Sequence, residues 1–172
     1  MSWGKLLQPD LVLGESVLGI TPAVIRQHRL QGLVLDVDET LVPLREADTS
    51  VAVRQWLAQI KAIVPLWLVS NNLNEIRIRR IADTLELPYF TGAGKPSRRK
   101  LRRATQAMAL PVEHIAMVGD RLFTDVLAGN RLGMFTILVE PMVNPGGAAG
   151  KHCVRTAEVW LSQKLGVSIQ GH

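Results

Sequence analysis

The chain has 172 residues, 47% of them apolar and 20% charged. That is a globular balance and excludes a wholly disordered chain. One cysteine, Cys153, excludes an internal disulfide framework and a cysteine-rich zinc site. No apolar run reaches the roughly 18–20 residues that span a bilayer. The longest candidate, Leu11 to Ile20, is broken by Glu15 and two glycines, and the opening MSWGKLLQPD lacks the apolar core of a secretory signal. The expectation is one cytoplasmic domain over 1–172, with a core near 30–142 and a lead segment over 1–29. Lys and Arg outnumber Asp and Glu by 20 to 15, a net charge of +5 that suggests anionic partners. The cations are concentrated: Arg77 to Arg103 holds nine basic residues against Asp83 and Glu86.

In chain order, Thr21-Pro22 reads as the cap and first position of a short helix to His28. Gly32 to Asp38 (GLVLDVD) is a buried strand that ends in carboxylates. Thr49-Ser50 caps a helix from Val51 to about Ala62, with Val53, Trp56, Leu57 and Ile60 on one face. Pro65 to Ser70 is a second strand. Asn72 or Asn74 caps the next helix, where Ile78, Ile81 and Leu85 keep helical spacing. Pro88 to Phe90 is a short third strand, followed by the loop Thr91 to Pro96. Ser97 caps a helix to about Met108, in which Lys100 faces solvent. Ile115 to Val118 is a fourth strand, Thr124 caps a helix to Leu132 that Gly133 ends, and Met134 to Val139 is a fifth strand. Residues 140–150 read as a mobile Pro/Gly-rich stretch, and a last helix is expected at about 156–165. Alternating strands and helices with short loops predict an α/β fold: a parallel sheet of about five strands with helices on both faces. Ligands of such sheets bind at the carboxyl ends of the strands. Asp36, Asp38, Ser70, Asn71, Lys95 and Asp120 fall at those ends.

Asp36 and Asp38 are two residues apart just past a strand, so both can point at one ligand while the chain is extended. Two close carboxylates repel unless a cation or a shared proton compensates. Mg²⁺ fits, since it takes hard oxygens from carboxylates and phosphate. One Asp can then act as nucleophile and the other as acid and base. The bland alternative is a pair of turn-capping acids. Ser70 and the N–H groups after it can hold phosphate oxygens, or simply cap a helix. Lys95 is placed to neutralise a nucleophile and a transferring phosphoryl group. Asp120 can supply a third carboxylate. Asp125 can orient Lys95 or a metal-bound water, or stabilise a helix dipole.

DVDET, the strand-end Ser70, Lys95 before proline, and GDRLFTD occur in the order seen in the haloacid dehalogenase (HAD) phosphatases, which the chain resembles over about residues 30–142. The resemblance implies a Rossmann-like fold with Asp36 as nucleophile and Asp38 as general acid and base. It implies Mg²⁺ held by the Asp36 side chain, the Asp38 main-chain carbonyl and Asp120, and phosphoryl oxygens held by Thr40, Ser70, Asn71 and Lys95. Asp38 and Thr40 favour phosphatase over dehalogenase chemistry. Asp36 and Ser70 are 34 positions apart, and Ser70 and Lys95 are 25 apart. Neither gap can hold a cap domain beside its own helix and strand. An open site suits a phosphate carried on something large.

More narrowly, the lead segment LLQPDLVLGESVLGI and GDRLFTDVLAGNRLG are similar to the YqeG-like group of subfamily IIIA. That group resembles phosphatidylglycerophosphate phosphatases, which implies a lipid headgroup substrate and phosphatidylglycerol synthesis. Glu39 departs from it, since the group more often has Asn there. Two readings of location and substrate stay open. One is a phosphatase peripheral on the inner face of a membrane, its basic helices drawn to anionic lipid and Trp3, Leu6 and Leu7 entering the interface. The other is a phosphatase of soluble monoesters such as sugar phosphates or nucleotides. A third reading, a non-catalytic nucleic-acid or ribosome-associated protein, is disfavoured by the scarcity of aromatics, 5% of residues. The sequence leaves oligomeric state open, shows no ligand spacing among His28, His114, His152 and His172, and marks Cys153 as an interior residue.

Overall fold

The computed structural model describes residues 3–46 and 48–142, without the side chain of Trp3. The helix expected at 156–165, Cys153, His152, His172 and residues 143–150 lie outside the described residues. The elements in order are α1 (Trp3–Leu7), β1 (Leu11–Val12), α2 (Pro22–Gln27), β2 (Gly32–Leu35), α3 (Val51–Lys61), β3 (Leu66–Val69), α4 (Glu75–Leu85), β4 (Tyr89–Phe90), α5 (Arg99–Met108), β5 (Ile115–Gly119), α6 (Leu127–Leu132) and β6 (Phe135–Leu138).

The strands form one sheet in the order β1-β6-β5-β2-β3-β4, and every pairing is parallel. The side-chain period of two sorts the sheet residues onto two cores. Leu33, Leu35, Leu66, Leu68, Ala116 and Val118 face the side covered by α2, α3 and α4, where they meet Ile25, Trp56, Ile60 and Ile81. Val34, Val69, Ile115 and Met117 face the other side, with Leu101 and Ala104 of α5 and Ala128 of α6. Helices on both faces follow from this sorting. The predicted caps act at α2 and α3, where Thr21 Oγ1 accepts from the Val24 N–H and Ser50 Oγ from the Val53 N–H. At α4 the choice falls on Asn74, whose Oδ1 accepts from the Arg77 N–H.

Three expectations need correction. The sheet has six strands where about five were expected, because Leu11 and Val12 of the lead segment pair with Ile137 and Leu138. Asp10 fastens that edge: its Oδ2 accepts from the Thr136 N–H (2.8 Å) and the Thr136 hydroxyl (3.0 Å). A two-residue strand carries too little periodicity to be seen in sequence. Second, Thr124 does not cap a helix. A π-helical turn over Leu122–Val126 precedes α6, and it begins after Arg121. Third, α5 starts at Arg99, and Ser97 Oγ accepts from the Arg99 N–H at a long 3.4 Å, two positions before the helix.

The lead segment also packs differently from the interfacial reading of Leu6 and Leu7. Leu7 is wholly buried, and Leu6 packs with Leu122, Val126 and Leu138. These two leucines therefore belong to the core and not to a membrane interface. No inserted domain separates β2 from β3 or β3 from β4 among the described residues. No helix of the described residues is long and apolar enough to cross a membrane.

Candidate active site

The chain leaves β2 for β3 and β4 on one side and returns to β5 and β6 on the other, so the order switches between β2 and β5. A crevice opens at such a switch, beyond the carboxyl ends of the strands. Asp36 follows β2, and its N–H donates to the Val118 carbonyl at 2.9 Å, extending the ladder with β5. Asp120 follows β5 directly. Strand pairing therefore brings together two carboxylates that are 84 positions apart in sequence.

Lys95 completes the centre. Its ammonium lies 2.7 Å from Asp36 Oδ1, 2.6 Å from Asp125 Oδ1 and 2.9 Å from the Val69 carbonyl. The contacts with Asp36 and Val69 are hydrogen bonds, and that with Asp125 is an ion pair. Lys95 is 4% exposed, a degree of burial that a cation tolerates only when paired. Burial opposes its charge, but Asp125 and Asp36 outweigh burial and raise its pKa above the ordinary value. The Asn71 side chain holds the loop that delivers Lys95. Its Oδ1 accepts from the Lys95 N–H (2.7 Å) and its Nδ2 donates to the Lys95 carbonyl (3.0 Å).

Asp125 reaches Lys95 from the π-helical turn, and its Oδ2 accepts from the Arg121 N–H at 3.2 Å. Gly119 makes room for it. A Cβ at Gly119 would stand 2.3 Å from the Asp125 carboxyl carbon, so any other residue would displace this group. Carboxylate oxygens of Asp36, Asp120 and Asp125 all lie within 4.8 Å of one another. Asp120 Oδ1 is buried and has no hydrogen-bond partner among the described residues. Burial, with the neighbouring carboxylates adding to it, pushes the Asp120 pKa up to about 8. Burial likewise raises Asp36 to about 7 against the opposing pull of Lys95. Three buried carboxylates against one ammonium leave an excess of negative charge and an orphaned oxygen. A divalent cation bound by carboxylate oxygen would resolve both.

Asp38 sits differently. Its carboxylate is outside the acidic cluster and turns toward α4. Its Oδ1 accepts from Arg77 Nη1 at 2.5 Å, and its Oδ2 accepts from Asn72 Nδ2 at 2.9 Å and from Ser70 Oγ at 3.5 Å. The same Arg77 donates to the carbonyls of Glu46 (2.9 Å) and Pro43 (3.3 Å), tying the short segment after Thr40 to α4. Ser70 is wholly buried, and its Oγ accepts from the Asn72 N–H. Thr40 is wholly buried, with a hydroxyl that has no hydrogen-bond partner. Lys100 is half-buried and donates to the Thr91 carbonyl, where a solvent-facing group was expected.

A cavity of about 240 Å³ opens over Asp36, Asp38, Asn71, Asn72 and Lys95, with Leu44 and Arg121 on its wall. Glu39 also lines it, with its carboxylate 3.7 Å from the Arg121 guanidinium. Its backbone has φ +67°, a region that Asn adopts more readily than Glu. The roles of Arg77 and Asn72 were not visible in sequence. Arg77 is one of nine cations in a basic stretch, and no spacing distinguishes the one that turns inward.

Known proteins place this arrangement. A family model of HAD-hydrolase-like proteins matches residues 92–151. The chain is 33% identical to the probable phosphatase YqeG of Bacillus subtilis over 144 residues, covering 83% of each protein. It is 39% identical over 54 residues to a chloroplastic phosphatidylglycerophosphate phosphatase 1 of Chlamydomonas reinhardtii, a match covering 31% of this chain and 20% of that protein. The fold is similar to that of a 3-deoxy-D-manno-octulosonate 8-phosphate phosphatase from Moraxella catarrhalis crystallised with magnesium, phosphate and the sugar acid. That similarity has a TM-score of 0.50 at 17% identity and covers 84% of this chain and 93% of that one. Identity to YqeG over most of both chains, on a capless parallel sheet, makes this chain a member of the HAD-hydrolase-like family and a phosphatase of its YqeG-like group.

Proposed function

We propose that the site hydrolyses phosphate monoesters through an aspartyl-phosphate on Asp36, with Mg²⁺ as cofactor. The observation that carries this reading is the meeting of Asp36 after β2, Asp120 after β5 and Lys95 from the β4–α5 loop, with Asp36 and Lys95 opening on one cavity. Asp36 and Asp120, with the Asp38 main-chain carbonyl, would hold the cation, which supplies positive charge to the phosphoryl oxygens. The orphaned Asp120 oxygen and the raised pKa values of both carboxylates support that assignment. A carboxylate oxygen of Asp36 attacks phosphorus, and the bond from phosphorus to the ester oxygen breaks. The carboxyl of Asp38 gives its proton to the departing alkoxide. Asp38 then takes a proton from water as that water attacks phosphorus, which releases phosphate and regenerates Asp36. Lys95, held by Asp125, draws Asp36 toward its ionised form and balances charge in transit. The Ser70 hydroxyl, Asn71 and Thr40 belong to the phosphate-holding side of the site.

The substrate is a lipid headgroup phosphate of the phosphatidylglycerophosphate kind, which would make the protein a peripheral membrane enzyme of phosphatidylglycerol biosynthesis. The uncapped cavity and the local likeness to a phosphatidylglycerophosphate phosphatase support this. The test is a phosphate-release screen with phosphatidylglycerophosphate, sugar phosphates and nucleotides, each with and without Mg²⁺. Preferred turnover of the lipid that chelation abolishes is expected. Preference for a soluble monoester would replace the substrate, and no turnover of any monoester would remove the reaction.

A further inference from the structure

Leu73 and Ile76 are 86% and 84% exposed, more than any other large apolar side chain among the described residues. They flank the start of α4 beside the mouth of the cavity. Leu73 follows Asn72, which lines the cavity together with Leu44, itself 42% exposed. Ile76 precedes Arg77, which reaches the carbonyls of Pro43 and Glu46 on either side of Leu44. Leu44 thus lines the opening, and Leu73 and Ile76 are exposed next in sequence to Asn72 and Arg77, which bind Asp38 there; water is a poor neighbour for all three.

This rim runs into the basic helix. The Asn72 carbonyl accepts from the Gly92 N–H at 2.9 Å. A Cβ at Gly92 would lie 3.2 Å from Leu73 Cδ2 and 3.8 Å from Lys100 Nζ, so Leu73 and α5 meet over that glycine. Beyond it, Arg98, Arg99, Arg102, Arg103 and Arg131 line an open cleft of about 690 Å³ with no carboxylate in its wall. The cations of α4 are all paired: Arg77 with Asp38, Arg79 with Asp83 and Arg80 with Asp48. In α5, Lys100 donates to the Thr91 carbonyl and Arg103 lies over the Phe90 ring, while the flanking Arg98 and Arg131 donate to carbonyls; none of these cations, nor Arg99 or Arg102, forms an ion pair with a carboxylate among the described residues.

We propose that Leu44, Leu73, Ile76 and the α5 arginines form one face by which the protein docks on an anionic phospholipid bilayer, with the active-site mouth turned to the lipid. The inference rests on the phosphatase reading of the site and names the surface on which that site works. Apolar groups at the mouth enter the interfacial region, while adjacent guanidinium groups meet lipid phosphates. A small soluble substrate would need neither feature. RNA would call for stacking rings, and the ring on this face, Phe90, lies under Arg103.

The experiment is co-sedimentation of the full chain with vesicles of phosphatidylcholine alone or mixed with phosphatidylglycerol, alongside hydrolysis of soluble p-nitrophenyl phosphate. Binding to the anionic vesicles, weak binding to the neutral ones and release by salt are expected. The double variant Leu73→Asp with Ile76→Asp, and separately Arg99→Glu with Arg102→Glu, should each weaken vesicle binding at least about tenfold. Both should leave p-nitrophenyl phosphate turnover and the circular dichroism spectrum unchanged. Leu73→Ser with Ile76→Ser repeats the test with no added charge. Equal recovery with both vesicle types, or unchanged binding by these variants, overturns the docking face even where turnover persists. So does a dimer in gel filtration that Leu73→Asp dissolves without loss of vesicle binding, or salt-sensitive RNA binding with no vesicle binding. Vesicle binding by a protein that hydrolyses no monoester would sink the phosphatase reading and leave the face standing.

Discussion

Asp36 and Asp38 are two residues apart, yet they sit in opposite kinds of environment. Asp36 is 8% exposed, bound to a buried ammonium and crowded by Asp120 and Asp125. Asp38 reaches the outer wall, where a guanidinium from α4 and an amide from the β3 loop share its two oxygens. The inner half of the site is organised by charge in a dry setting, and the outer half by directional hydrogen bonds through Arg77, which also holds the carbonyls of Pro43 and Glu46. The difference fits a division of labour in which a nucleophile and a cation are held fixed while a proton donor is aimed separately.

The largest expected effects lie in the inner half. Asp36→Asn should lower p-nitrophenyl phosphate turnover at least about 10³-fold with the fold intact by circular dichroism. Retained turnover would remove Asp36 as nucleophile and erase the contrast between the halves. Lys95→Met leaves Asp36 and Asp125 facing each other without a counter-charge. It should cost about 3–5 kcal/mol in urea unfolding, as removal of one partner from a buried pair does. Asp120→Asn should shift the Mg²⁺ activation midpoint upward on the order of 10²-fold. An unchanged magnesium titration would take Asp120 out of the cation site.

The pH response sharpens the same comparison. Asp36 and Asp120 titrate near 7 and 8 in the folded chain, against an ordinary value of 3.8. Between about pH 4 and 8 the folded protein therefore binds more protons than the unfolded one, and stability falls as pH rises through that window. Without added metal, Tm should be lower at pH 8 than at pH 5. Added Mg²⁺ should raise Tm more at pH 8, because it binds the ionised carboxylates. A metal-induced rise in Tm that does not grow with pH would count against these two groups as ligands.

Effects in the outer half should be smaller. Arg77→Ala should lower kcat about tenfold, roughly the worth of one charged hydrogen bond in the transition state, with KM changing less. Arg77→Lys should recover part of the loss. If KM rises and kcat holds, Arg77 serves substrate binding and not the aim of Asp38. Arg79, exposed and paired with Asp83 on the same helix, is the control: Arg79→Ala should move stability by less than about 0.5 kcal/mol and leave turnover alone.

Much of the fold was legible in the chain because its signals are local. GLVLDVD and IAMVG read as buried strands ending in polar residues, and Val53, Trp56, Leu57 and Ile60 kept one helical face. β1 was missed because two residues carry no period, and it is fastened by Asp10 meeting Thr136 across the sheet. Leu6 and Leu7 were as consistent with a lipid surface as with a core. Packing against Leu122 and Val126 decided it, and the exposed apolar groups proved to be Leu73 and Ile76, in a segment the sequence offered only as a helix start. Among the acids, position past a strand marked Asp36, Asp38 and Asp120 as candidates. The neighbours that separate their environments come from α4, the β4–α5 loop and the turn after β5.

The amino-acid sequence alone determined the alternating elements, the acidic strand ends and the absence of room for a cap, because each is written in spacings of a few residues to a few tens. Only the tertiary structure decided that Lys95 is shared by Asp36 and Asp125, that Arg77 turns inward to Asp38 while Arg79 stays in water, and that the α5 arginines lack carboxylate partners among the described residues. Those outcomes depend on which side chains a parallel sheet brings within about 3 Å of each other across the chain. Charge and hydrogen-bond energy fall off too steeply with distance for any one-dimensional pattern to record them.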